Sequence, residues 1–289
     1  MNTKRDTAIL MMHCQEKRGI VHAVTGFILD NNGVLIQLDQ HVDHDEDHFF
    51  MRVEWNLKDF DIEKEKISDY FETLIVKKFG DIYWELHIDK TPPKMALFVS
   101  KYAHCFHDIL SRFESKEWQI EIPVIISNHE DFRSVADRHD IPYHYIPIKK
   151  DNKKVQEEKT IELLREYDVD FIVLARYMQI LSGNFVDQFP NRIINIHHSS
   201  LPAFPGANPY KAAYQRGVKF MGATGHYVTT ELDGGPIIAQ DVIPISHRNS
   251  YSDLKRKGKN IEKIVLANAV WAHLNHKIIT YKNKTVVFE

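Results

Sequence analysis

The chain has 289 residues, room for two domains at roughly 100–200 residues each, and 43% of them are hydrophobic, enough for a sizeable core. The 37 basic residues against 40 acidic ones give a formal charge of -3, which excludes the clustered basic face of a nucleic-acid binder, and the one dense basic run, KRKGKN at 255–260, reads as a solvated helix start. Two cysteines, Cys14 and Cys105, are too few for a disulfide framework, and the apolar run near the N-terminus (AILMM) is too short for a signal peptide or a spanning helix, so composition points to a soluble, cytoplasmic protein with no membrane partner.

In chain order, residues 8–13 (AILMMH) predict a strand, and Ile20, Val24, Phe27 and Ile28 recur at helical spacing over 19–31. The Asn31-Asn32-Gly33 turn ends that helix. Residues 34–42 and 48–55 alternate as two strands. The acidic, His-rich stretch QHVDHDEDH (40–48) bridges them and reads as a solvated hairpin tip rather than a metal site. An amphipathic helix over 62–78 and a strand over 82–87 complete a β-α-β-β-α-β order, the ferredoxin-like motif. This places a first domain at 1–86 and a Pro-containing polar linker at 87–94.

From 95 to 289 the rhythm changes. Short apolar strands at 95–99, 122–126, 143–147, 170–174 and 192–196 alternate with helices at 103–115, 130–138, 155–167 and 181–188. That alternation predicts a mostly parallel sheet covered on both faces. An antiparallel pair at 221–230 and 236–243 extends it; a long helix over 252–275 and a small hairpin around Asn283 follow. The fold class is therefore α/β, with a ferredoxin-like domain ahead of a Rossmann-like one.

The chemistry gathers at one strand end. Ligands of doubly wound sheets bind outside the carboxyl ends of the strands. The strand 192–196 ends in Asn195, Ile196, His197, and its two-residue period puts Asn195 and His197 on one side. The next residues, SLPAFPGANPY (200–210), suit a rigid irregular loop, and Asp233 then arrives on a turn sharpened by Gly234 and Gly235. An amide and a protonated imidazole can stabilise an oxyanion. A carboxylate can raise the imidazole pKa, hold a water and take its proton. Lys101, His104 and Cys105 follow strand 95–99 at the same sheet edge, where they either line the water site or pack a helix start. His226 lies on a strand passing the same point.

The stretches LARYMQILS (174–182), NIHHSSLPAFPGANPY (195–210) and GATGHYVTTELDGGPI (222–237) resemble the folate-dependent formyltransferase fold family. That resemblance implies Asn195, His197 and Asp233 as the catalytic set and 10-formyltetrahydrofolate as the formyl donor. It places the pterin against Tyr177, Met178, Gln179, Ile180 and Leu181 on one side and Val228, Thr229 and Gly234 on the other. It implies no cofactor and no metal. The glycinamide ribonucleotide formyltransferases of the family carry a Gly-rich loop after the first strand, whereas SKYAHCFHDIL (100–110) holds no glycine and offers no such phosphate cradle. Nor does the layout resemble that of the methionyl-tRNA formyltransferases, which carry an additional C-terminal domain.

RGIVHAVTGFILDNNGVLIQLDQHV and HFFMRVEW resemble an ACT domain, with departures at its turn (Glu16-Lys17-Arg18-Gly19 for Asp-x-x-Gly) and at Asn32-Gly33-Val34-Leu35-Ile36. An ACT domain ahead of this catalytic type resembles the formyltetrahydrofolate deformylases. The expectation is hydrolysis to formate and tetrahydrofolate, feeding formate to purine synthesis. The base is left open among His197, Asp233 and a bound water. An amino acid is the candidate effector, and a homo-oligomer (dimer or tetramer) the expected assembly. The rivals are formyl transfer to a small amine or amino sugar and a catalytically dead regulator; the intact Asn195, His197, Asp233 set speaks against the latter.

Overall fold

The computed structural model describes residues 6–88, 91–202 and 209–289. The chain divides into two compact units. The first holds β1 (Thr7–Gln15), α1 (Ile20–Leu29), β2 (Val34–Asp43), β3 (His48–Asn56), α2 (Ile67–Phe71), a π turn (Glu72–Val76), α3 (Lys77–Phe79) and β4 (Ile82–His87). Its sheet runs β2-β3-β1-β4 with every pairing antiparallel, the ferredoxin-like order. The helix expected over 62–78 is present as consecutive helical turns from Lys64 to Phe79, opening with a 3-10 turn (Lys64–Lys66) and carrying the π turn within it. Ile67, Phe71 and Ile75 are buried at every fourth residue, a spacing longer than 3.6 per turn, and the wider π turn keeps all three on the sheet.

β1 is apolar on both faces because both are covered. Ala8, Leu10, Met12 and Cys14 join the core under the helices, with Phe49 and Met51 of β3. Ile9 and Met11, with Phe50, pack against Ile279 and Phe288 near the C-terminus. Residues Asn275–Tyr281 and Val286–Glu289 therefore group with the first unit, although the sequence pattern assigns all of 95–289 to the second domain. They contribute β12 (Ile278–Tyr281) and part of β13 (Lys284–Val287). Arg52 of β3, buried in the same region, donates through Nε to the His276 carbonyl at 2.9 Å. The tip of the β2–β3 hairpin is solvated at His44 and Asp45, but His48 is buried and its Nε2 lies 2.9 Å from Nδ1 of His13.

The second unit contains β5 (Lys94–Val99), α4 (His104–Glu114), β6 (Glu121–Ser127), α5 (Arg133–Arg138), β7 (Tyr143–Tyr145), α6 (Lys153–Glu166), β8 (Phe171–Ala175), α7 (Gly183–Val186), β9 (Ile193–His197), α8 (Pro209–Arg216), β10 (Phe220–Tyr227), β11 (Ile237–Pro244) and α9 (Tyr251–Leu274). The strand order is β11-β10-β9-β8-β5-β6-β7. The five strands from β9 to β7 are parallel, and β10 and β11 are antiparallel additions. The chain lays β6 and β7 on one side of β5, then returns to lay β8 on the other. The topological switch point thus lies between the ends of β5 and β8.

Helix α8 is not anticipated by the sequence pattern, although Pro209 opens it and Gly217, at φ 65°, follows its end. Helix α7 is shorter than expected because the Ser182 hydroxyl accepts from the Phe185 amide and caps it there. The loop expected over 200–210 lies in part on residues 203–208, outside the described residues. Among the described residues no helix is long and apolar enough to cross a membrane.

Candidate active site

Register brings the site together. β9 and β10 pair so that Asn195 faces His226 and His197 faces Thr224. Opposed residues share a sheet face, so four polar side chains emerge together. Thr224 anchors the backbone just beyond β9. Its Oγ1 donates to the Ser199 carbonyl at 2.8 Å and accepts from the Leu201 amide at 3.0 Å and from Gln240 Nε2 at 2.9 Å. Asp233 comes from the turn after β10, where the Gly234 amide bonds the Glu231 carbonyl at 3.2 Å. Asp233 itself is left-handed, at φ 54°, a conformation Asp tolerates better than most residues.

Hydrogen bonds define the protonation. His226 Nδ1 lies 2.9 Å from the Tyr227 carbonyl, which can only accept, so Nδ1 carries the hydrogen. Burial, outweighing the Tyr227 carbonyl and Asp233, which pull the other way, holds the His226 pKa below the usual histidine value, so the ring is neutral near pH 7. Its Nε2 is then an acceptor, and Asn195 Nδ2 donates to it across 3.2 Å. One N–H of the Asn195 amide stays available. His197 Nδ1 lies 3.1 Å from Asp233 Oδ2. That hydrogen bond, outweighing partial burial, holds the Asp233 carboxyl below the usual carboxylate range. Asp233 Oδ1 is 3.9 Å from His226 Nε2. His197 is only 5% exposed, and its Nε2 has no hydrogen-bond partner among the described residues. A buried ring nitrogen with its far side tied to a carboxylate is poised to exchange a proton with a ligand.

A family of formyl transferases matches residues 93–270. The chain is 49% identical to the formyltetrahydrofolate deformylase of Synechocystis sp., over 98% of both chains, and 45% identical to that of Bacillus subtilis, over 98% of this chain and 94% of the other. The chain belongs to the formyltetrahydrofolate deformylase family. In structure it is similar to a deformylase from Pseudomonas syringae pv. tomato, with a TM-score of 0.95 and 39% identity, covering 100% of this chain and 96% of that one.

In this deformylase-family chain the segments expected to hold a pterin are neighbours. A Cβ on Gly183, just after the 177–181 segment, would lie 3.4 Å from Thr230. Leu181 and Val228 pack on one core cluster, and Val228 donates to the Ile193 carbonyl at 2.9 Å. Met178, Ile180 and Leu232 are 45%, 60% and 61% exposed, apolar side chains presented to solvent. Tyr177 is buried instead, edge-on to Phe98 at 5.2 Å, so its side chain is core. Burial pushes its hydroxyl pKa up. The Met178 amide donates to Ser100 Oγ at 3.0 Å, which steadies the start of the segment. Gln179 is half-buried, and Thr229 Oγ1 bonds the Glu231 carbonyl at 3.3 Å. Gly234 sits against the Glu231 side chain.

The remaining candidates go elsewhere. Lys101 is exposed. His104 and Cys105 join a cluster that the sequence pattern does not assemble. His104 Nε2 lies 2.7 Å from Glu262 Oε2, Arg176 Nε lies 3.3 Å from the same oxygen, and the Tyr210 hydroxyl donates to Glu262 Oε1. Burial raises the Glu262 pKa, but the His104 and Tyr210 hydrogen bonds and the Arg176 charge outweigh it and hold the carboxyl below its usual value. Burial, then Glu262, keep the Cys105 thiol well above its ordinary pKa and so protonated. His104, Cys105 and Glu262 present ligand atoms within 4.8 Å of one another. As arranged, though, both carboxylate oxygens are committed to protein donors and a guanidinium stands beside them, a poor setting for a metal ion. One signal for Glu262 is present in the sequence. It lies on the buried stripe of α9 with Gly258, Val265 and Ala269, where a lone acid needs partners.

Proposed function

We propose that the chain hydrolyses 10-formyltetrahydrofolate to formate and tetrahydrofolate. The observation that carries this reading is the buried Nε2 of His197, without a partner among the described residues and backed by the Asp233 carboxylate. With Nδ1–H given to Asp233, the neutral ring offers a lone pair at Nε2. A water oriented by the Asp233 carboxylate passes its proton to Nε2 and attacks the formyl carbon. Asp233 stabilises the imidazolium that forms. The free N–H of Asn195 and the imidazolium stabilise the oxyanion of the tetrahedral intermediate. His197 then returns its proton to N10 as the C–N bond breaks, leaving formate and the free amine. The apolar side chains of Met178, Ile180 and Leu232 face the pterin. No resident metal or cofactor enters this chemistry, because the formyl group is already activated on the folate.

The same reading includes a cytoplasmic homo-oligomer, with an amino acid as the effector of the first unit. The test is purified protein and 10-formyltetrahydrofolate in amine-free buffer. Formate and tetrahydrofolate should appear in equal amounts, and not with Asp233→Asn. Folate binding with no formate until an amine is added would replace hydrolysis by transfer.

A further inference from the structure

The hairpin tip around Asn283 has no part in the chemistry above, yet it reaches the catalytic turn. Lys282–Thr285 group with the second unit, although Asn275–Tyr281 and Val286–Glu289 on either side of them group with the first. Asn283 Nδ2 donates to the Gly234 carbonyl at 2.8 Å, and Thr285 Oγ1 donates to the Ile237 carbonyl. Between those two lies the Pro236 carbonyl, which accepts from the Tyr227 amide at 2.9 Å. The exit of the Asp233 turn is thus fastened at three carbonyls, one by β10 and two by the hairpin tip.

A Gly-Gly turn needs such fastening. Gly234 and Gly235 follow Asp233 directly, and two glycines give a turn little stiffness of its own. Asp233 must nevertheless stay within hydrogen-bond distance of His197 Nδ1, where it stands at 3.1 Å. A displacement of about 1 Å at a reacting centre can cost on the order of 100-fold in rate. The sequence of the tip fits the role. Asparagine tolerates the left-handed conformation far better than lysine does. In this two-residue turn, however, Lys282 is left-handed, at φ 53°, and Asn283 is not. Asn283 therefore contributes its side-chain amide and not backbone freedom.

We propose that Asn283 and Thr285 are positioning residues of the reaction, which hold the Gly-Gly turn so that Asp233 stays on Nδ1 of His197. The proposal rests on the hydrolytic reading of the active site. Both residues act through Asp233 and need touch no reacting atom.

The experiment compares the unmutated protein with Asn283→Asp, which keeps the shape and turns the donor into an acceptor, and with Thr285→Val, which keeps the shape and removes the hydroxyl. Asn283 is exposed, so water competes for its hydrogen bond and the bond adds little to stability. The variants should fold, which thermal unfolding checks, and should Thr285→Val fail to do so, Asn283→Asp decides. Formate release should slow about tenfold in each variant and about 100-fold in the pair, and Thr285→Ser should restore the rate. A second readout needs no turnover. The Nδ1–H of His197, bonded to Asp233, gives a downfield proton resonance in the ligand-free protein, assigned by its loss in His197→Gln. That resonance should broaden or vanish in Asn283→Asp and Thr285→Val and return in Thr285→Ser. A rate within about twofold of the unmutated one in both variants would overturn the proposal. So would a slower rate with the resonance unmoved, because the loss would then not run through Asp233. If the unmutated protein yields no formate in amine-free buffer, the hydrolytic reading fails, and the resonance alone still decides whether the tip holds Asp233.

Discussion

Asp233 Oδ2 lies 3.1 Å from Nδ1 of His197, and the opposite nitrogen of that ring is buried with no partner among the described residues. The carboxylate therefore sets which nitrogen carries the proton. Asp233→Asn keeps the size and loses this control, since the amide can present a donor to Nδ1. Turnover should fall about 10³- to 10⁴-fold, the scale seen when a carboxylate orienting a catalytic histidine is replaced by its amide. Binding of folate should change little, so the loss should appear in kcat and not in KM. A variant within tenfold of the unmutated rate would remove Asp233 from the mechanism.

Asn195 and His226 should separate cleanly. Asn195→Ala deletes an oxyanion donor and should cost about 100- to 1,000-fold in kcat. His226 reaches the site through Asn195 Nδ2, at 3.2 Å, lies 3.9 Å from Asp233 Oδ1, and is a positioning residue. His226→Gln, whose carbonyl can accept the same hydrogen bond, should lose roughly tenfold or less, by analogy with other outer partners that orient a reacting group. If the two single variants were equally damaged, His226 would belong among the catalytic residues.

Much of this architecture is legible in the sequence. The strand–helix alternation, the antiparallel extension and the Asn195, His197, Asp233 set depend on periods and on side chains at strand ends, which are local properties. The cover over Ile9 and Met11 is not legible, because it comes from Ile279 and Phe288 at the far end of the chain. The π turn after Phe71 answers to burial spacing against the sheet, not to a breaker residue. The Glu262 cluster joins side chains from four segments, and only register and crossover geometry bring them together. Arg176 sits inside the LARYMQILS stretch, yet nothing local announces its partner.

His226 also predicts a pH dependence of stability. Burial chiefly, with a contribution from His197, lowers its folded pKa below the histidine value of about 6.5 expected of an unfolded chain. Between the two values the unfolded state binds more protons, so stability rises with pH there. The contribution is fully present above about 6.5 and is lost as pH falls through the depressed folded value. His13 and His144, both lowered first by burial, act with the same sign. The urea midpoint should therefore drop on acidification from about pH 7 to about pH 5, and His226→Gln should flatten part of that slope. An unchanged slope in the variant would contradict the assignment.

In the first unit, Arg52 should be the costliest polar residue to remove. It is buried, pairs with Glu54 at 3.0 Å, and holds the carbonyls of His276 and Asn275 at 2.9 and 3.3 Å. Arg52→Ala removes these hydrogen bonds and the ion pair with Glu54 and should destabilise the unit by about 3 kcal/mol. Limited proteolysis should then cut first after residue 275, while Arg52→Lys, which restores charge but not the fork of donors, should recover only part of the loss. Resistance equal to the unmutated protein would show that Ile279 and Phe288 alone hold the segment.

Gly234 and Gly235 look alike in sequence and should respond very differently to alanine. A Cβ on Gly235 would fall inside the Tyr227 carbonyl oxygen, a backbone atom that cannot swing away, since Tyr227 and Pro236 are also joined by a 2.9 Å hydrogen bond. The three atoms nearest a Cβ on Gly234 all belong to the exposed side chain of Glu231, which can rotate. Gly235→Ala should therefore destabilise by about 2–3 kcal/mol through forced backbone movement, and Gly234→Ala by less than about 1 kcal/mol. The movement in Gly235→Ala displaces Asp233, two residues earlier, so kcat should fall with it. Thermal unfolding and kcat of the two variants read both effects. Equal loss in the pair would mean that the turn's freedom as a whole, rather than the close approach at Gly235, carries Asp233 to His197.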